Sequence, residues 1–375
     1  MQLLREGYSE RLFLFTDEQG KEIVRKQARP EINGTLLAEI AWLEELPPSL
    51  ARYFPQVLRS GKGKGDEHAL FYDMPYFGEQ WRVLSELILM HGLDHTRLLT
   101  LIAQVMQIMF GGIFSTTYPE EEPGYPERLV RLLERYAQHI SRLPVFSLLV
   151  RPPTVLLNGT RLWNIFPLLD VLKGDTGISE KLRPAAIRKV HGDLYPENVL
   201  VYIPSLRRPV PRVVLLDPVA AIGLSRGDFA MDVAKFTSWL SAELLALRLG
   251  RFSIQEDDNS FPAFTLTLHT EDAQLRTLGD GILLREFAHL LDTAGWARAV
   301  CDTDPFWQQR VSFYEALYAL SMVPIVSFPQ SLARFLVGIQ HLHQFVCLVS
   351  DEPAASRYHP QMNRQGQARG SASPN

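Results

Sequence analysis

The run His191-Gly192-Asp193-Leu194-Tyr195-Pro196-Glu197-Asn198-Val199-Leu200, followed by the apolar stretch Val213-Val214-Leu215-Leu216 and then Asp217, constrains this chain more than any other feature. Asn198 opens one strand-like run and Asp217 closes the other, so hairpin pairing brings the two side chains together. A carboxylate and an amide oxygen converging at one strand end form the hard oxygen pair that Mg²⁺ prefers, with coordination positions left open. Asp193, in the loop before them, is then free to take a proton from an attacking hydroxyl. A metal for developing charge and a base for the nucleophile is the division of labour that phosphoryl transfer requires.

The chain around this run divides into two unlike parts. In the first 75 residues, Arg11–Phe15 and Glu22–Lys26 flank Asp17-Glu18-Gln19-Gly20, a hairpin signal. Asn33-Gly34-Thr35 then precedes a helical stripe of Leu36, Leu37, Ile40 and Leu43, and Ala69–Tyr72 reads as another strand. Beyond a connector near Asp73–Tyr76 the periodicity becomes helical, over 96–113, 126–141, 228–248, 281–298 and 306–347, with one β unit at Asn198–Ile203 and Arg212–Leu216. From about Glu352 the chain turns polar and rich in Ser, Gly, Gln and Pro, the composition of a disordered tail over 351–375. The fold class is therefore α+β, with a small β-rich lobe at 1–75 and a large, mostly helical lobe at 76–350.

The loop and the strand ending in Asp217 resemble the aminoglycoside phosphotransferase family of protein-kinase-like small-molecule kinases. The resemblance extends to Gly227-Asp228-Phe229-Ala230-Met231-Asp232-Val233-Ala234, similar to the Gly-Asp-x-x-x-Asp-x-Ala run of that family. It implies a bilobal protein-kinase-like fold, with ATP and Mg²⁺ as cofactors. Residue by residue, it implies Asp193 as catalytic base and Asn198 and Asp217 as Mg²⁺ ligands. Asp232 would brace the loop from the next helix, with His191 as a further support.

The N-terminal lobe carries the nucleotide side of the same implication. Lys26 shares a strand face with Val24 and Ala28, and an ammonium on an apolar face needs an anionic partner. By resemblance that partner is nucleotide phosphate together with a helix acid. Glu39 borders the apolar stripe of its helix, and Glu44 and Glu45 remain open as alternatives. Gly7-Tyr8-Ser9 would be the turn that covers phosphate, and Asp73 and Met74 fall where an interlobe hinge would offer backbone groups to adenine.

Charge narrows the partner class. Lys plus Arg is 38 against 42 for Asp plus Glu, a net −4, without the basic excess of a nucleic-acid-coating protein. The apolar stretch Leu98–Phe114 is broken by Gln104, Gln107 and a Gly-Gly pair and reads as a buried helix, so no membrane partner is expected. Cys301 and Cys347, the only cysteines, form no disulfide framework, and the expected setting is a reducing cytoplasm. Ser60–Asp66 imitates a phosphate loop without its Lys-Ser/Thr ending or a following helix. His341 and His343 cannot face one site from a single helix.

The partner expected is a small molecule bearing a hydroxyl; oligomeric state and ATP against GTP stay open. The acceptor expected is a neutral or weakly charged polyol such as a sugar-like metabolite, because the acidic runs Glu120–Glu122 and Glu256–Asp258 read as exposed loops. Trp163, Trp239, Trp296, Trp307 and Tyr314 offer faces for a sugar ring, with core packing as their commoner use. The alternative function is a catalytically weak, kinase-like binding or regulatory module.

Overall fold

In the N-terminal part, alternation of inward and outward side chains builds an antiparallel sheet from β1 (Gln2–Glu6), β2 (Glu10–Thr16), β3 (Glu22–Ala28), β4 (Arg59–Lys62) and β5 (Leu70–Pro75), in the order β1-β2-β3-β5-β4. The computed structural model describes residues 2–6, 10–29, 33–63, 69–90, 93–121, 124–208, 210–219, 224–257, 262–271 and 275–350. The Gly7–Ser9 turn and the 351–375 tail therefore lie outside the described residues. The β2–β3 turn closes as its composition predicts: the Gly20 amide donates to the Asp17 carbonyl, and Gly20 takes the left-handed φ of 78°.

Helix α1 (Asn33–Glu44) lies against this sheet, burying Leu36, Ile40 and Leu43 on one face at helical spacing. Glu39 falls on that same face and Trp42 beside it, while Leu37 is left exposed. The Trp42 indole donates from Nε1 to the Val190 carbonyl, 2.8 Å away, which ties α1 to the loop that opens at His191.

The chain leaves the first sheet after Pro75, turns at Gly78, and joins a second sheet as Trp81–Val83. There it pairs with Val199–Tyr202, which in turn pairs with Val213–Leu215. Of the long helices His95–Gly111, Tyr125–Arg142, Trp307–Met322 and Gln330–Val349, the first packs on this sheet and the last two pack on each other. The stretches His95–Ser115 and Gln330–Val349 are apolar and long enough to cross a membrane by length and composition, and both are largely buried against the rest of the chain.

The helical part departs from the sequence expectation in two ways. It holds a further four-stranded sheet, ordered Phe252–Glu256, Ala263–Leu268, Thr154–Leu157 and Thr160–Trp163, in which Ala263–Leu268 and Thr154–Leu157 run parallel. Short strands of few residues carry too little periodicity to stand out between long helices. The expected helices are also broken. The 228–248 run splits at Ser241-Ala242, where Ala242 takes a left-handed φ of 63°, and the 306–347 run splits between Met322 and Gln330, around Pro324 and Pro329.

Candidate active site

Local chain geometry sets the loop before any side chain acts. Gly192 has φ 81°, and a Cβ there would stand 2.8 Å from the Leu224 carbonyl oxygen, so only glycine lets the two segments close. The Val219 amide donates to the His191 carbonyl, and Asp232 accepts from the amides of His191 and Gly192, at 2.7 Å each. Asp232 is fully buried at the start of the Ala230–Leu240 helix. It thus braces the loop through its backbone.

His191 is also sealed in, against Trp42 and Phe54. Burial pushes its imidazole down to about 3, so it is neutral at ordinary pH. Its Nδ1 accepts from the Asp193 amide at 3.3 Å. This is a structural contact within the loop.

Two of the predicted carboxylates converge on the ammonium of a third predicted residue, Lys26. Lys26 Nζ lies 2.9 and 2.8 Å from the Glu39 carboxylate oxygens and 2.8 Å from Asp217 Oδ1. The Tyr72 hydroxyl donates to Glu39 Oε1 at 2.8 Å and fixes that carboxylate from the other side. Burial opposes the Lys26 charge, but Asp217 and Glu39 overcome it and hold the ammonium protonated. Burial likewise raises Glu39, to about 7, against the pull of Lys26. At Asp217 burial works upward and Lys26 downward, and the net value is below the usual carboxylate range. Of the three, only the Asp217 side chain keeps appreciable exposure, 21%.

Asn198 and Asp217 meet through strand register. Val199 pairs with Leu215, and the Leu216 amide donates to the Asn198 carbonyl at 2.8 Å, which sets Asp217 next to Asn198. The Asn198 amide nitrogen donates to the Asp193 carbonyl at 2.9 Å and to Asp193 Oδ2 at 3.1 Å, leaving its Oδ1 as the oxygen not so engaged. Asp217 adopts φ 56° and Val219 φ 70°, conformations that non-glycine residues rarely hold. The oxygens of Asn198 and Asp217, with only one Asp217 oxygen bonded to Lys26, suit a hard divalent cation.

Asp193 is buried, which raises its carboxyl, while Lys235 pulls the other way. The Lys235 ammonium stands 3.0 Å from Asp193 Oδ1 and lies over the rings of Tyr195 and Tyr318. Sequence reasoning passed over Lys235. The signal was available: it lies three residues after Asp232, one helical turn along the same face.

Asp73 and Met74 lie near the end of β5. Both are interior strand positions: Met74 stands opposite Val24, and the Asp73 carbonyl accepts from the Leu58 amide. The Asp73 carboxylate is gripped by Arg25 at 2.7 and 3.0 Å and by Arg59 at 2.9 and 2.7 Å. The chain leaves the sheet only after Pro75, because β3 keeps β5 paired up to that point, while β4 pairs with it only as far as Asp73. The aromatic faces offered for a sugar ring are corrected where buried. Trp239 and Tyr314 are fully buried and Trp163 and Trp307 nearly so, because the helical core takes them. Of the acidic runs, Glu120 accepts from the Tyr125 amide and pairs with Arg183, and Glu121 pairs with Arg128, outside this cluster.

No family model and no curated protein matches this chain. Solved structures do match it along most of its length. One is a Ralstonia eutropha JMP134 protein named as an aminoglycoside phosphotransferase, 13% identical, with a TM-score of 0.51, covering 92% of this chain and 91% of its own. Another is the amicoumacin kinase hAmiN, solved with AMP-PNP, Ca²⁺ and Ami, also 13% identical with a TM-score of 0.51, covering 91% of this chain and 88% of its own. The fold is thus the α+β, protein-kinase-like fold of small-molecule kinases.

Proposed function

We propose that the protein is a Mg²⁺-dependent phosphotransferase that moves the γ-phosphoryl group of ATP to a hydroxyl of a small molecule. The observation that carries this reading is the convergence of Lys26, Glu39 and Asp217 on one partly open spot beside the loop that holds Asp193 and Asn198. A purely structural ion pair has no need of a second carboxylate with access to solvent. The part up to residue 75 would serve the nucleotide and the part from 76 to 350 the acceptor, in a reducing cytoplasmic setting.

Each residue then has a defined task. Lys26, held in place by Glu39, would contact nucleotide phosphate. Asn198 and Asp217 would hold Mg²⁺, which when bound neutralises charge building on the phosphoryl oxygens. The acceptor hydroxyl oxygen attacks the γ-phosphorus, the bond from that phosphorus to the β,γ-bridging oxygen breaks, and ADP leaves. Asp193 takes the hydroxyl proton, a task favoured by the burial that raises its basicity. Asn198, donating to Asp193 Oδ2, orients the base.

Two measurements test the reading. Titration calorimetry with ATP and Mg²⁺ is expected to show binding at millimolar concentration or tighter, and an absence of heat rejects the proposal. Asp193→Ala is expected to lose roughly 10²- to 10⁴-fold in turnover while still binding ATP with Mg²⁺. Asp217→Ala is expected to lose that binding itself. Equal loss of nucleotide in both variants contradicts the division of roles.

A further inference from the structure

The hairpin that carries Asn198 and Asp217 at one end carries a cationic loop at the other. Its strands, Val199–Tyr202 and Val213–Leu215, are joined by residues 203–212, which include Arg207, Arg208 and Arg212. The loop is braced from within. Ser205, fully buried, donates from Oγ to the Tyr202 carbonyl at 2.6 Å and accepts from the Arg212 amide at 2.8 Å. The Arg208 amide donates to the Ser205 carbonyl at 2.9 Å, so the backbone is tied on both sides of Arg207.

The three arginines differ in what they meet. The Arg212 guanidinium lies 5.7 Å from the centroid of the Trp81 ring and 5.2 Å from that of Tyr202. Arg207 and Arg208 are exposed, and among the described residues neither guanidinium has a hydrogen bond, an ion pair or a ring contact. Both line a cavity of about 370 Å³ between this loop and the helix His95–Gly111. The helix contributes Arg97 and, one turn on, the buried Leu101, and the loop adds Leu206 and Pro211. No acid is among the lining residues. Arg97 does meet Asp94, at 3.3 Å, but the two side chains are 54% and 62% exposed, and a pair of that kind contributes little.

Three guanidinium groups around one concavity repel one another, and an anion placed there removes that cost. Clefts lined by one sign of charge concentrate the opposite ion, and the planar fork of arginine matches phosphate oxygens. The volume falls at the small end of ligand pockets, roughly 300–1,000 Å³, which favours a compact molecule. We propose that this cavity binds a small organic phosphate of two or more negative charges. Arg97, Arg207 and Arg208 would hold its phosphate oxygens, and Leu101, Leu206 and Pro211 would pack on its carbon skeleton. The four-residue strand Val199–Tyr202 separates the cavity from Asn198, by about 13 Å at roughly 3.3 Å per residue. The inference therefore stands apart from the phosphotransferase reading.

Titration calorimetry on the full chain tests it, with fructose 1,6-bisphosphate, pyrophosphate and, as the uncharged control, fructose. Fructose 1,6-bisphosphate is expected to bind at millimolar concentration or tighter, more tightly than pyrophosphate, and fructose is expected to give no heat. Replacing both Arg207→Gln and Arg208→Gln is expected to weaken the bisphosphate roughly tenfold or more, the worth of charge-assisted hydrogen bonds. Arg97→Gln is expected to weaken it by a smaller factor, because Asp94 already meets Arg97. Unchanged melting curves report that these variants are folded. Lys26→Met locates the heat and is expected to leave bisphosphate affinity as it was.

The proposal is overturned if fructose 1,6-bisphosphate gives no heat at millimolar concentration, if fructose binds as well, or if the double glutamine variant keeps the parent affinity. Loss of the heat in Lys26→Met would place the phosphate on the Lys26 cluster instead and equally overturn it. Pyrophosphate binding as tightly removes the role given to Leu101, Leu206 and Pro211. Tighter binding of hexaglutamate, or of phosphatidylserine vesicles, would make the loop a protein- or membrane-docking face and reject the small phosphate.

Discussion

Two of the buried ionic networks among the described residues differ in their surroundings. Arg310, Asp228 and Asp304 form one that is closed: side-chain exposures are 0%, 0% and 4%. Arg310 reaches Asp228 at 2.6 Å and Asp304 at 2.5 Å, and its remaining donors face the carbonyls of Lys181 and Arg183. The acids are used again, Asp228 by the Ala230 amide and Asp304 by the Ala185 amide. Lys26, Glu39 and Asp217 form the other, with the same chemistry but one carboxylate partly open to solvent. A closed network holds elements in place, here the start of the helix that carries Asp232 and Lys235. An open one has capacity for a ligand.

Cutting the closed network should cost most. Arg310→Met leaves two buried carboxylates without their cation, and urea unfolding is expected to show a loss of about 3–5 kcal/mol. A loss below about 1 kcal/mol would mean that this network is not what anchors the helix. The open network should respond differently. Lys26→Met is expected to weaken ATP·Mg²⁺ binding by roughly 10- to 100-fold, the worth of a charge-assisted hydrogen bond. Its stability cost should be smaller than that of Arg310→Met, because Glu39 already sits near 7 and can take a proton, while Asp217 reaches water. Equal stability losses for the two variants would erase the contrast.

A third ionic contact lies between these extremes and sharpens the comparison through pH. His341 stands between Glu243 and Glu315, at 2.9 and 3.3 Å. Burial opposes its charge, yet Glu243 outweighs this and lifts it to about 9. Because the folded value is raised, the native state holds an extra proton between about 6.5 and 9. The stabilisation is complete below that window and is lost as pH rises through it. Discounted for the exposed side of Glu243, it amounts to about 1–2 kcal/mol. Melting curves across the window should fall with pH in the parent and flatten in His341→Gln; parallel curves would remove His341 from the account.

Much of the candidate site was legible because its parts are local. The loop 191–198 needs a glycine at φ 81°. Lys26 and Glu39 were legible from period-two and helical spacing, since each charge falls on an apolar face. The grip of Arg59 on Asp73 was not legible, because it depends on which strand lies alongside β5. Here that is β4, which follows a long connection, with Arg59 on it. The Arg310 network was invisible for the same reason: its two acids come from the loop before one helix and the loop before another.

The sequence by itself determined the order of side chains along the chain: a lysine on an apolar strand face, an acid on the buried stripe of the next helix, then Asp193, Asn198 and Asp217 flanking one hairpin. These follow from backbone periodicity and turn stereochemistry, which act over a few residues. Tertiary structure alone decided that Lys26 meets Asp217 across 191 residues, that Lys235 sits on Asp193, and that Arg334 Nε is buried with no hydrogen-bond partner among the described residues. Such contacts depend on how whole elements pack, and burial then fixes which charges persist: a charge in the interior is retained only where another group, or a ligand, answers it.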